Sequence, residues 1–254
     1  MAGDFHVHGY PADGALPAAG LAHEARRRGL DVIAITDHNR VVFHPAGDPA
    51  SGASAVDGVL VIPGEEITMA HADMAAVGID RAFDWHGAIV DVARRVHDAG
   101  GVAIAAHPIG DDARAYDARV LAAVDGVEAA HPAMFLKEGF AADIRESYRR
   151  ARENHAGIAA IGSSDFHFSE PVGLCRTYLL VSSVDRAGVL DAIRAGRTVA
   201  CDATGGVIGP PALAARVAPL CAADMGAMLA VNRGAATVCA LLALLALAVL
   251  VGVG

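Results

Sequence analysis

Basic side chains are scarce in this chain of 254 residues. Lysine and arginine together number 20 against 29 aspartates and glutamates, so the net charge is −9 with the histidines neutral. The one lysine is Lys137. A protein with this balance lacks the positive field that grips nucleic-acid backbones regardless of sequence. We therefore expect no nonspecific nucleic-acid binding.

Cysteines are also few, and their spacing is not that of a zinc site. The four of them contain no CxxC pair and stand at Cys175, Cys201, Cys221 and Cys239. This spacing excludes zinc ribbons and zinc fingers. We expect reduced thiols that have no part in the function.

Only one apolar run is long enough to cross a membrane. Segment 235–253 has no charged residue, and as a helix it would be about 28 Å long, close to the roughly 30 Å hydrocarbon layer. We predict a catalytic domain over 1–203, a linker over 204–233 and a transmembrane anchor over 234–254. Arg216 and Arg233 lie in the linker before the apolar run, and the positive-inside bias then places the large N-terminal domain of this tail-anchored protein in the cytoplasm.

Before that run, short apolar segments alternate with alanine-rich helical ones. Segments 31–36 and 102–106 are typical of buried strands, whereas 18–28 is typical of a helix that ends at Gly29. Near-continuous apolar strands separated by helices indicate a parallel sheet covered on its faces. The pattern predicts an α/β fold, a barrel of βα units complete by about Asp202. Within the linker, 213–229 has the pattern of a weak amphipathic helix lying on the membrane.

Histidines and carboxylates cluster where the apolar segments end. The main ones are His6, His8, Asp13, Asp37, His38, Glu66, His71, His107, Asp165 and His167. In α/β barrels, the edge at which the strands end carries the chemistry. Residues two apart in a strand share a face, so His6 and His8 can converge on one ion. The series predicts a multinuclear metal site.

The residue types indicate the chemistry of this site. Imidazole and carboxylate ligands without thiolate suit Zn²⁺, Mn²⁺ or Fe²⁺. Clustered ions would acidify a bridging water, and the resulting hydroxide would attack phosphorus in line. Asp37 and Asp165 are candidates to pass a proton. Arg40 and Arg176 are candidates to hold an anionic group, with a place on the exposed surface as the alternative.

The ordered motifs resemble those of the polymerase-and-histidinol-phosphatase (PHP) superfamily of metallo-phosphoesterases. The matching pieces are His6-x-His8 with Asp13-Gly14, Thr36-Asp37-His38-Asn39, Pro63-Gly64-Glu65-Glu66, Ala106-His107-Pro108 and Gly162-x-Ser164-Asp165-x-His167. The resemblance spans roughly 4–200. It implies a distorted seven-stranded (β/α) barrel with two or three metal ions at its rim, which hydrolyses a small phosphomonoester or nucleotide.

The resemblance also implies a ligand set. One metal would take His6, His8, Glu66 and Asp165, a second would share Glu66 and add His71 and His107, and a third would take Asp13, His38 and His167. The family's histidine after the glutamate usually lies further on, where this chain has Asp73, so His71 and Asp73 both stay open. For His131 we expect a surface position, with a place behind the ligands as the alternative.

Three alternative functions stay open. Segments 173–177 and 195–198 are similar to the branch that includes carbaryl-type hydrolases, which favours a carboxyl ester or carbamate substrate on the same scaffold. An amidohydrolase also begins with HxH, but it commonly bridges its metals with a carbamylated lysine, and Lys137 stands at the start of a predicted helix. The third alternative is a noncatalytic metal-binding module tethered to the membrane.

Overall fold

The computed structural model of the protein describes residues 1–45 and 54–228. The strands are β1 (Ala2–Val7), β2 (Val32–Ile35), β3 (Ser54–Val56), β4 (Val59–Thr68), β5 (Asp73–Val77), β6 (Val102–Ala105), β7 (Gly126–Ala130), β8 (Ala159–Gly162), β9 (Arg176–Leu179), β10 (Thr198–Cys201) and β11 (Val207–Ile208). The helices are α1 (Ala18–Arg27), α2 (Ile89–Asp98), α3 (Asp112–Ala115), α4 (Ala118–Leu121), a 3₁₀ helix (Pro132–Phe135), α5 (Phe140–Asn154), α6 (Arg186–Arg194) and α7, described over 211–228.

These strands form one mixed sheet. Its order is β11-β10-β9-β1-β2-β4-β5-β6-β7-β8, with β3 beside β4. From β1 to β8 in this order, four neighbouring pairs are parallel, whereas β5 runs antiparallel to both β4 and β6. The strands β9, β10 and β11 extend the sheet from β1 with antiparallel pairing. The α/β barrel prediction is confirmed. The described sheet has eleven strands rather than seven, and it is not wholly parallel because hairpins add strands between the βα units.

The sheet curls until the chain after β8 meets β1. The Asp165 N–H donates to the His6 carbonyl at 3.0 Å, and the His8 N–H donates to the Phe166 carbonyl at 2.9 Å. Val7 and Phe166 pair as an isolated parallel bridge. These contacts leave a nearly closed barrel, and they place the segment after β8 beside the end of β1.

Apolar side chains from strands spread along the sheet form one of the buried cores. Phe5, Ile62, Ile104 and Ile161 come from four different strands, and Val189 of α6 packs against the same cluster. Each such side chain contributes about 1.5–3 kcal/mol when fully buried. The strand ends that carry polar residues are therefore held on a rigid scaffold.

Helix α1 illustrates how the sequence sets these elements. Leu21, Ala22 and Ala25 lie on one face and are buried, as the spacing of an amphipathic helix requires. Gly29 has φ 73°, the left-handed conformation that glycine adopts most easily after a helix. The predicted end of this helix is confirmed.

Helix α7 lies in the segment predicted as a linker and packs on the barrel. Met225 and Met228 are buried, and Asp224 accepts hydrogen bonds from Tyr178 at 2.6 Å and from Arg176 at 3.1 Å. Part of this helix therefore contributes to the core of the domain rather than lying apart from it.

The expectation of reduced cysteines is wrong for two of the four. Cys201 of β10 and Cys221 of α7 form a disulfide across a sequence separation of 20 residues. Spacing alone could not predict it, because the bond depends on α7 folding back onto β10. Of the described cysteines, Cys175 is a buried free thiol.

No helix among residues 1–45 and 54–228 is long and apolar enough to span a bilayer. The run predicted as a membrane anchor, 234–254, lies outside the described residues, as does Cys239. The anchor stays a prediction.

Gly162, at the end of β8, lies against the backbone of β9. A Cβ atom at this position would lie 2.3 Å from the Arg176 carbonyl oxygen. We expect Gly162→Ala to lower the free energy of unfolding by about 1–3 kcal/mol, because the overlap must be relieved by a backbone shift. Thermal unfolding measures this loss. The control is Gly226→Ala on α7, where a Cβ meets nothing within 4 Å and alanine favours the helix; equal melting temperatures for the two variants would contradict the packing.

The disulfide should stabilise the domain by closing a loop in the unfolded chain. For a loop of this length the contribution is about 3 kcal/mol. We expect Cys221→Ser to lower the free energy of unfolding of the full chain, measured in urea, by this amount. Dithiothreitol should lower the free energy of unfolding of the wild-type protein equally and leave that of the variant unchanged. Alkylation of all four cysteines in unreduced protein would show that the bond does not form.

Candidate metal centre

The predicted ligands lie at one edge of the barrel because of the strand directions. β1, β2, β4 and β6 end at this edge, and with them come His6, His38, Glu66 and His107. β5 runs in the opposite direction, so this edge holds its first residue, Asp73. The segment after β8 adds its residues through the contacts that close the barrel.

The first cluster contains the four residues expected to share one metal. The Nε2 atoms of His6 and His8 lie 3.1 and 3.2 Å from Glu66 Oε2, and 3.4 and 3.2 Å from Asp165 Oδ1. Both histidines and Glu66 are buried. Within the described part of the chain, these four facing atoms are buried without a hydrogen-bond partner.

Such a set of unpartnered donor atoms fits a cation. Burying polar atoms without partners is costly, so they are normally paired or coordinate a metal. Two imidazole nitrogens and two carboxylate oxygens match the ligand chemistry of Zn²⁺, Mn²⁺ and Fe²⁺.

The second cluster lies on the outer side of His8. It contains His8, Asp13, His38 and His167, whose potential ligand atoms all lie within 4.8 Å of one another. Asp13 Oδ2 is 3.7 Å from the Nε2 atoms of both His38 and His167. The structure brings together the three residues expected for the third metal, and it adds His8, whose ring stacks on His167 with the centroids 3.8 Å apart.

The third cluster differs from the expectation by one residue. It contains Glu66, Asp73 and His107, with His107 Nε2 3.0 Å from Glu66 Oε1 and 4.0 Å from Asp73 Oδ2. His71 is exposed and belongs to none of the clusters that the described residues form. It lies in the hairpin before β5, whereas Asp73 begins the strand at the rim.

Glu66 connects the first and third clusters, as predicted for a bridging ligand. Its Oε2 faces His6 and His8, while its Oε1 faces His107. One carboxylate therefore presents an oxygen to each of two adjacent sites.

Two candidates for catalysis lie elsewhere. The buried guanidinium of Arg176 donates to the carbonyls of Gly173 and Arg28, each at 3.0 Å, and to Asp224. These contacts tie β9 to the end of α1 and to α7, so the expected role in holding a substrate anion is corrected to a structural one. Asp37 accepts the Gly9 N–H at 2.7 Å; it fixes the loop after His8 and is in none of the clusters of described residues.

Two residues lie behind the first cluster: Glu128, which was not predicted to contribute, and His131, for which this place was the alternative to the surface. Glu128 of β7 is fully buried and lies 3.0 Å from His6 Nδ1; it also accepts from the Ser163 hydroxyl and from the His107 N–H. His131 is 4% exposed rather than on the surface. The available signal was a single carboxylate within the apolar run of β7, because an isolated buried charge requires partners.

The charges of the first cluster reinforce one another. Burial alone lowers the pKa of His6, but attraction to Glu66 and Asp165 outweighs burial and raises that pKa well above its ordinary value. Burial raises the pKa of Glu66, yet His6 and His107 bring it well below its usual range. Without an ion, the carboxylates therefore favour the protonated form of His6. A metal must displace this proton, so metal affinity should fall with decreasing pH.

Comparison with known proteins indicates which family the chain resembles. Residues 143–198 match a family model described as PHP-associated, and no curated protein matches the sequence. A two-domain protein of Bacteroides vulgatus containing a predicted PHP-like metal-dependent phosphoesterase has a TM-score of 0.59 and 21% identity, over 84% of this chain and 67% of that one.

Two further solved structures share the fold. PsfC of Pseudomonas syringae has a TM-score of 0.54 and 19% identity, over 90% of this chain and 98% of that one. The lesion-specific endonuclease EndoQ of Pyrococcus furiosus has a TM-score of 0.52 and 16% identity, over 76% of this chain and 56% of that one. The protein is thus an α/β barrel whose described residues form four histidine–carboxylate groups at the rim: the three clusters above, and His6 with Glu128 and His131. The family-model match and the fold confirm its resemblance to the PHP superfamily.

Asp73 and His71 offer a direct test of the third cluster. We expect Asp73→Asn to weaken the binding of one metal ion by at least about 10-fold, the lower end of the loss seen even for residues behind the ligands. His71→Asn, two residues away, should bind metal like wild type because its side chain is exposed. Isothermal titration with Zn²⁺ and Mn²⁺ measures both. The reverse pattern would reinstate His71 as the ligand.

Proposed function

We propose that the protein is a metal-dependent hydrolase that cleaves the phosphoester bond of a small phosphomonoester or nucleotide. One observation carries the proposal: four buried atoms that could each donate a lone pair to a metal, from His6, His8, Glu66 and Asp165, face one another without hydrogen bonds. Two further clusters adjoin this one. Divalent ions held there would lower the pKa of water and stabilise charge on the ester oxygens.

The residues of the chain supply the positions for this chemistry. Glu66 holds adjacent sites through its two oxygens, which suits a reaction that needs attacking and leaving oxygens clamped together. In the first cluster, His6, His8 and Glu66 are buried and the Asp165 side chain is 25% exposed, whereas Asp13 and His38 of the second are each about two-fifths exposed. A substrate would therefore enter from the side of the second cluster.

A carboxyl ester or carbamate is the second candidate substrate. Tyr10 is 65% exposed and Phe168 is 70% exposed, and each follows a ligand at the rim by one or two residues. Large exposed apolar side chains beside a site favour a substrate with an aromatic or apolar group. This observation is compatible with an aryl ester of a carboxylic acid and also with an aryl ester of phosphoric acid.

Two other readings have less support. Lys137 Nζ lies over the Phe140 ring, 5.4 Å from its centroid, so the sole lysine is engaged on α5 rather than at the rim clusters, and Glu66 takes the bridging position that an amidohydrolase gives to a carbamylated lysine. A noncatalytic module is disfavoured because adjoining groups of histidines and carboxylates, more than one structural ion needs, lie together at the rim.

Two features of the chain bear on its place in the cell: the apolar run 235–253 and the disulfide. The charge-free run 235–253 still supports a membrane anchor. However, disulfides persist mainly in oxidising compartments, and the bond between Cys201 and Cys221 argues against the cytoplasmic orientation. We propose an anchored protein whose barrel lies on the oxidising side of the membrane, testable by protease protection in intact cells.

The test of the activity uses the full chain with Mn²⁺, Zn²⁺ or Fe²⁺ added after chelation. We expect 4-nitrophenyl phosphate to be hydrolysed only with metal, and faster than 4-nitrophenyl acetate. Glu66→Gln should lose at least about 100-fold in rate, more than the loss typical of residues behind the ligands, and His71→Asn serves as the matched control. Metal-loaded protein that cleaves neither ester at any pH would contradict the proposal; preference for the acetate would favour the second candidate.

A further inference from the structure

His131 lies directly after β7, where its side chain is fixed by the backbone. It is the N-cap of the 3₁₀ helix, and its Nδ1 accepts the Ala133 N–H at 3.1 Å. An acceptor nitrogen carries no proton, so the neutral ring must carry its proton on Nε2. The 3₁₀ helix thereby selects one tautomer and turns an N–H group toward the metal centre.

The Nε2 atom of His131 faces two carboxylates. It is 3.5 Å from Asp165 Oδ2 and 3.9 Å from Glu128 Oε2. It is buried and, in the described part of the chain, makes no hydrogen bond within 3.5 Å with acceptable geometry. A buried donor requires an acceptor, and the nearer of the two is Asp165.

Asp165 divides its two oxygens between the metal centre and His131. Its Oδ1 faces the Nε2 atoms of His6 and His8, while its Oδ2 faces His131. Its backbone has φ 51°, a conformation that residues other than glycine seldom adopt. The carboxylate therefore reaches the cluster from an unusual backbone, where a second contact fixes its direction.

Glu128 supports His6 in the same way. Its Oε1 lies 3.0 Å from His6 Nδ1, so His6 Nδ1 carries the proton and Nε2 is left to face Glu66 and Asp165. β7 and the residue that follows it thus provide partners for two ligands of the first cluster, one on each side of it.

A role for His131 as a ligand is less consistent with the geometry. His6, Glu128 and His131 also form a group with ligand atoms within 4.8 Å. An ion in this group would use His6 Nδ1, while His6 Nε2 faces the first cluster. One imidazole would then bind two ions and lose both ring protons. Positioning requires no such step.

We propose that His131 is a positioning residue, whose Nε2–H holds Asp165 so that Oδ1 points at the metal bound by His6, His8 and Glu66. This inference rests on the metal site of the proposed function, but not on the reaction catalysed there. It assigns β7 a part in the site although the strand supplies no ligand of its own.

The test compares two variants of similar size in the full chain. Glutamine retains an acceptor for Ala133 and a donor for Asp165, whereas leucine retains neither. We expect His131→Leu to lower the affinity for one metal ion by about 10–100-fold, as is typical when a hydrogen-bond partner behind a ligand is lost. His131→Gln should recover most of that affinity. Competition with a chromophoric chelator measures each Kd for Zn²⁺, and His23→Leu, at an exposed position, is the control.

A spectroscopic measurement tests the same inference without a disruptive variant. In a long-range ¹H–¹⁵N spectrum of the zinc-loaded wild-type protein, the His131 ring should show the tautomer protonated on Nε2, with its signals assigned by their loss in His131→Gln. The Nδ1-protonated tautomer, or zinc affinity in His131→Leu equal to that of wild type, would overturn the inference. If wild type binds zinc but hydrolyses no ester, the proposed function fails while this test still decides the role of His131.

Discussion

The pairing of β1 with the segment after β8 is the constraint on which the candidate site depends. Backbone hydrogen bonds join Asp165 to His6 and His8 to Phe166, although about 160 positions separate these residues in the sequence. Without this closure, the sheet would end at two open edges and the first cluster would lack its second carboxylate. The site is therefore a consequence of the barrel, and it should be lost whenever the barrel opens.

Electrostatics explains why such a site favours a bound cation. Buried carboxylates and imidazoles lie within hydrogen-bond distance of one another, yet several of their facing atoms lack hydrogen-bond partners in the described residues. Protons partly compensate the negative charge, as the raised pKa of His6 indicates. A divalent ion compensates the charge and also satisfies the lone pairs. The atoms that face one another in this cluster are therefore the ones that we propose as metal ligands.

Much of the site could be predicted from the sequence because its residues follow strands. His6, His8 and Glu66 lie where the alternation of strand positions and the parallel order of β1, β2 and β4 place them, and Asp165 follows β8. The choice between His71 and Asp73 stayed open because it depends on where the hairpin ends and β5 begins. Spacing in the sequence does not determine that point.

Other features required the tertiary structure. The guanidinium of Arg176 is of the type that binds anions, but its partners lie at the end of α1 and on α7, which are distant from it in sequence. The disulfide also depends on α7 folding back onto the barrel, whereas the sequence indicated a linker with a weak amphipathic helix on the membrane. Glu128 and His131 act on ligands from other strands, and such contacts leave no local motif. What strand ends present could be predicted, whereas what packs behind them could not.

Anomalous diffraction from crystals of the full chain grown with Mn²⁺ or Zn²⁺ tests the central claim most directly. The account predicts a peak about 2.0–2.2 Å from the facing atoms of His6, His8, Glu66 and Asp165, the usual length of zinc–nitrogen and zinc–oxygen bonds. Crystals in which these four side chains hydrogen-bond to one another, with no anomalous peak between them at saturating metal, would contradict it.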